Sequence, residues 1–173
     1  MVSMSATMID DAPPQLTAER LRAANIHPET RLATDYLNHF NEAIMLLELV
    51  PSMPDCIDDV IGWTPLSYED HFARSNYRDK DLVIAAFQQA PIVVRRKFLA
   101  AVAEMDAIMT DVIAGLIAAG PTPRAGLLAR EAAAQLKPLA AHTVGLMNAV
   151  VDEDDDLMAP PSAQDAIDAL MDR

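Results

Sequence analysis

Cysteine occurs once in this 173-residue chain, at Cys56, so no disulfide can close within it and no zinc site can be assembled on thiolates. Glycine is also scarce, with five residues, and nowhere do they form the glycine-rich loop that cradles a phosphate. Four Phe, three Tyr and one Trp are few for this length, and no stretch alternates apolar and polar residues long enough to specify a strand. Bases are outnumbered by acids, 13 against 26, for a net charge of -13. The one basic run, Arg95-Arg96-Lys97, lies inside a helical pattern. Nucleic acid, which is bound through clustered Lys and Arg, is therefore not an expected partner. Long hydrophobic runs are missing too. "AIMLLELV" and "VIAGLIAAG" fall far below the roughly 20 residues of a membrane span, and the first residues carry neither the basic start nor the apolar stretch of a signal peptide. No membrane contact and a reducing cytoplasm are the expectation.

What remains is rich in Ala, Leu, Ile, Val and Met, a mix that packs as helices. The expected fold is all-α: a four-helix-like bundle over residues 15–151, with three long helices plus short ones. Residues 1–14 are polar, end on a proline pair and have no period, which predicts a disordered lead-in. Thr17 caps a short helix that stops before Pro28. Pro28, Glu29 and Thr30 are expected to open a long helix reaching about Val50, with Tyr36, Phe40, Ala43, Ile44 and Leu47 on its inner face. "DCIDDVI" suits two helical turns. Ser67 with Asp70 marks another start within the aromatic segment 63–77, which reads either as a packing plug over one end of the bundle or as a ligand pocket.

A short helix over 79–89 precedes one over 91–119, opened by Pro91 and ended by Gly120. Its apolar stripe is Val94, Phe98, Val102, Met105, Met109, Val112 and Leu116, widened by Ile108, Ile113 and Ile117. Pro123 opens the last long helix, to about 151, with Leu128, Ala132, Leu136, Leu139, Thr143, Leu146 and Val150 inward and a kink expected near Pro138.

Residues 152–173 hold eight acids and one base. Five consecutive acids and a proline pair make 152–161 a solvated spacer. In "SAQDAIDALMDR", residues 162–173, Ile167, Leu170 and Met171 share one face of a helix whose first turn runs from Ser162 to Asp165. About ten residues are too few to hold a helix in water unaided, so the segment must dock, on its own bundle, on another subunit or on a partner.

"SAQDAIDALM" resembles the short peptide at the start of the flagellar switch protein that binds the phosphorylated chemotaxis response regulator. Gln164, Asp165, Ile167, Asp168, Ala169 and Leu170 match that peptide; Ala163, Ala166 and Met171 depart from it. The layout of bundle, acidic spacer and terminal helix is similar to that of the chemotaxis phosphatase. The resemblance implies a regulatory or adaptor protein in bacterial signal transduction, with a response-regulator receiver domain as partner. Gln164, Asp165, Ile167, Asp168, Leu170 and Met171 would form the contact. A tethered peptide of this kind gains from effective concentration.

Two other classes stay open. If the bundle were a phosphatase, an exposed acid and amide at i and i+4 would be needed, and Glu131 with Gln135 has that spacing. If it held a metal, Asp35, His39 and Glu42 line one stripe and His142 could join them, although the paired Glu-x-x-His motifs of di-iron bundles are absent. No cofactor is specified by any motif. The third class is a self-associating structural protein, a homo-oligomer held by the tail.

Overall fold

The structure, a computed structural model, describes residues 15–150. The expectations for 1–14, for the 152–161 spacer and for the 162–173 helix lie outside the described residues. Within them the chain is all-α, with helices α1 (Ala18–Ala23), α2 (Asn38–Leu49), α3 (Ile57–Ile61), α4 (Tyr68–Arg74), α5 (Lys80–Gln88), α6 (Ile92–Ala119) and α7 (Pro123–Met147), and no strand. Short 3-10 turns at Thr34–Leu37 and Pro54–Cys56 lead into α2 and α3.

Local chemistry sets most of these boundaries. Thr17 Oγ1 accepts the Arg20 amide at 3.3 Å and caps α1. Ser67 Oγ accepts the Asp70 amide at 3.0 Å and donates to the Asp70 carboxylate at 3.0 Å, so side chain and backbone close one another at the start of α4. Gly120 ends α6 with φ 59°, a left-handed backbone that glycine adopts without steric cost. Pro123 then opens α7 where its missing amide is not needed.

Helices α6 and α7 pack along their length as an antiparallel hairpin, α2 lies on α7, and α3 bridges α2 to α6. Phe98, Val102, Met105, Met109, Val112 and Leu116 of α6 are buried as their spacing requires, but Ile117 is 62% exposed and does not widen the stripe. The face of α7 matches the expected one in part: Ala132, Leu136 and Thr143 are buried as expected, and the rest of the face is rotated. Ala125, Ala129, Ala132, Ala133, Leu136, Ala140, Thr143 and Met147 point inward, whereas Leu128, Leu139 and Leu146 are only half-buried and Val150 is exposed. The Leu128 side chain lies over Gly115 of α6, where an added Cβ would stand 3.2 Å from Leu128 Cδ1, and α7 passes close to Pro51, whose Cα would stand 3.3 Å from a Cβ on Gly126. Where α7 passes Pro51 the contact leaves little room for a side chain, which suits Gly126. The helix runs through Pro138, whose exposed ring leaves the exposed Ala134 without its usual helical donor.

The long helix expected from Pro28 begins later. Arg31 takes a left-handed φ of 59°, which interrupts helix, and the His27 amide donates to the Leu32 carbonyl at 2.9 Å to close a tight turn. The Arg31 guanidinium donates to the Gln89 carbonyl at 2.7 Å and holds that turn against the end of α5. Thr30, fully buried, donates its hydroxyl to the Met147 carbonyl at 2.5 Å. Residues 28–30 are thus committed to a contact with the far end of the chain and cannot open a helix.

Candidate functional site

The most chemically distinctive part of the fold is the aromatic segment where the 3-10 turn, α2, the 63–67 strap, α4 and α6 meet. Tyr36 is its hub, with ring centroids 6.0 Å from Phe40, 5.4 Å from Tyr68, 5.4 Å from His71 and 5.4 Å from Phe98. Its hydroxyl donates to the Leu66 carbonyl at 2.8 Å. Tyr68 stacks on Phe87 at 4.3 Å and accepts the buried Ala33 amide at 2.8 Å. Aromatic pairs at these separations favour edge-on and offset contacts, which fix ring orientation as well as bury area. Burial pushes both phenols well above the usual range, Tyr36 further through the nearby Asp106 carboxylate. They serve as neutral donors and acceptors, not as acids.

His39 clasps the strap to α2. Its ring stacks on Trp63 at 4.7 Å and its Nε2–H donates to the Thr64 carbonyl at 2.9 Å, while Trp63 Nε1–H returns a bond to the His39 carbonyl at 3.3 Å. The His71 ring lies 6.2 Å from that of His39 and is hydrogen-bonded to the Asp35 backbone. Burial lowers the pKa of both imidazoles. The Thr64 bond opposes this at His39, and the Asp35 backbone and carboxylate oppose it at His71 without cancelling it.

A lowered histidine pKa means that the unfolded chain binds the proton more tightly, so the stabilisation is complete above about pH 6.5 and is lost as pH falls through the lower folded values. Urea midpoints are accordingly expected to fall between pH 7.5 and pH 5, and His71→Asn should flatten that fall. An unchanged slope in the variant would remove His71 from the account.

Asp106 of α6 faces the same cluster. One carboxylate oxygen is buried and has no hydrogen-bond partner among the described residues, and burial raises the pKa of the group. Its sign is opposite to that of the imidazoles: the contribution is present in acid, below the ordinary carboxylate value, and is lost as pH rises through the raised one. At neutral pH the charge costs stability. Asp106→Asn is expected to raise folding stability at pH 7 by about 0.5–1 kcal/mol, with the gain fading in acid. Loss of stability at pH 7 in a urea titration would contradict this.

The sequence-derived sites fall differently. His39 turns to Thr64 and Trp63 instead of joining Asp35 and Glu42 as ligands, and among the described residues no group of three or more His, Cys, Asp or Glu is placed to hold a metal ion. His142 is exposed on α7 and does not complete such a set. Glu131 and Gln135 are both exposed on α7, one turn apart. Sequence reasoning missed His71, Trp63 and Asp106 as one constellation. "YEDH" at 68–71 carried the only local sign, and its partner Asp35 stands more than thirty residues away.

The end of the described chain is equally well defined. Met147 is fully buried, its carbonyl is held by Thr30, and the next turn closes with Asn148 donating to the Val144 carbonyl at 3.1 Å. By Val150 the chain is 76% exposed.

Fold and site together define an all-α protein built round a buried aromatic cluster, and among the described residues no helix is long and apolar enough to cross a membrane. Compared with known proteins, the chain matches no family model, no curated protein and no solved structure.

Proposed function

We propose that this chain is a non-enzymatic adaptor of bacterial signal transduction, with a four-helix-like body that presents residues 162–173 to the receiver domain of a response regulator. The observation that carries the reading is the peptide itself: Gln164, Asp165, Ile167, Asp168, Ala169 and Leu170 in the pattern of a receiver-binding segment. The fixed exit at Met147 supports it, because a tether works only from a firm mount. The acidic run 152–156 repels itself and favours an extended, solvated linker between body and peptide. Ile167, Leu170 and Met171 enter a groove of the receiver, and Gln164, Asp165 and Asp168 set the orientation through hydrogen bonds and charge.

The test is a titration of the full chain and of a chain ending at Asp156 against a panel of receiver domains, each with and without a phosphoryl mimic. Binding that needs both the tail and the mimic is the expected result. Equal binding by the shortened chain, or none by either, would overturn the reading.

A further inference from the structure

A shallow trough runs along the seam between α2 and α7. Leu37, Ile44, Ala140, Ala141 and Val144 form its apolar floor, with Asn41 and Lys137 at the rim. It continues past Glu48, Ala133 and Ala134 to Arg130. Val144 is 41% exposed in it although its neighbours Ala140 and Met147 are buried. Both bases on this seam, Arg130 and Lys137, are exposed; Lys137 bonds Glu48, and an ammonium with three donors can take a second carboxylate.

We propose that residues 162–173 dock in this trough of the same chain, so that the face meant for a receiver is covered by the body until a receiver displaces it. The docking stands on the trough; the competition rests on the function proposed above. Three considerations select the tail as occupant. Charge is the first. Asp165, Asp168 and Asp172 flank an apolar face in the tail; Lys137 borders the apolar floor of the trough and Arg130 stands at its far end, two bases against the single acid Glu48.

Reach is the second. From Arg130 to Val144 the trough spans about 21 Å of helix, and a ten-residue helix is about 15 Å long. The chain between Asn148 and Ser162 can extend to about 43 Å, more than enough to turn back beside α7. Effective concentration is the third: a flexible linker of this length keeps the segment at about millimolar concentration, so that an intrinsic affinity of only about 0.1 mM would leave it roughly 90% docked. Ile167, Leu170 and Met171 then meet Ile44, Ala141 and Val144, and Asp168 approaches Lys137.

Hydrogen exchange on the full chain tests this without any receiver. Amides of 164–172 should exchange about tenfold more slowly than in the Leu170→Asp chain, with protection unchanged on twentyfold dilution. Val144→Asp should abolish the protection and Lys137→Glu should weaken it. Lys137→Glu combined with Asp168→Lys should restore part of it. Because Leu170→Asp leaves the body untouched, it controls for any unfolding caused by Val144→Asp. An unprotected tail in the native chain overturns the proposal. So does protection that ignores both Val144→Asp and Lys137→Glu, and protection that fades on dilution shows a second copy in the trough and overturns it equally. Val144→Asp should in turn bind a receiver about tenfold more tightly than the native chain; docking observed with no receiver binding at all would sink the adaptor reading alone.

Discussion

Tyr68→Ala is expected to lower folding stability by about 3–5 kcal/mol, and Tyr68→Phe by about 1–3 kcal/mol. The tyrosine is 1% exposed and joins four elements at once: its ring touches Tyr36 of the 3-10 turn, Phe72 of its own helix, Phe87 of α5 and Phe98 of α6. Truncation to alanine empties a space that rings on four sides cannot close together, so a cavity remains. The phenylalanine variant keeps the ring and isolates the hydroxyl, whose loss strands the buried Ala33 amide. Against a typical stability of about 5–15 kcal/mol for a whole domain, the larger change would bring a chain of this size close to unfolding at 37 °C. Urea titrations of the three proteins measure both steps. A cost below about 1 kcal/mol for Tyr68→Ala would mean that the aromatic segment is not core.

On the adaptor reading, Ile167→Asp should weaken receiver binding at least about 100-fold, with the folding free energy of the body lowered by no more than about 1.5 kcal/mol, the share that a docked tail adds. The reason is desolvation. A carboxylate placed in the middle of the Ile167, Leu170 and Met171 face would have to enter an apolar groove unpaired, whereas the same residue in free solution costs nothing. Asp168→Asn, which only removes an orienting charge, should cost a much smaller factor. Binding unaffected by Ile167→Asp would show that the peptide is not the contact.

The comparison of sequence with structure divides along a physical line. Caps at Thr17 and Ser67, the glycine stop at Gly120 and the proline start at Pro123 were legible because each acts within four residues of itself. The stripe on α6 was legible because large side chains dominate its pattern. On α7 the same logic placed Ala132, Leu136 and Thr143 inside but also selected Leu128, Leu139 and Leu146, which are half-buried while Ala125, Ala129, Ala133 and Ala140 are inside. Periodicity weighted by size passes over alanines as core residues. The late start of α2 was hidden for a related reason: Arg31 and Thr30 are held by Gln89 and Met147, and partners 58 and 117 residues away leave no local mark. His39 shows both sides. The aromatic crowding at 63–77 announced a packing centre, yet the imidazole at its edge was drawn to Asp35 and Glu42 by helical arithmetic instead of to Trp63 and Thr64.

The bond from Thr30 to the Met147 carbonyl also decides where tension would go. A pull on the chain beyond Met147 would load the last turn of α7, and the buried hydrogen bond at that point ends on the turn at 28–33, not on another helix. From there the strain runs by Ala24, whose carbonyl Tyr77 holds, toward the segment after α4, and by Arg31 toward the end of α5. The α6–α7 contacts are spread along the whole hairpin, whereas the Thr30 anchor is a single bond at the last turn of α7, so a tug on the C-terminal side meets the turn at 28–33 early.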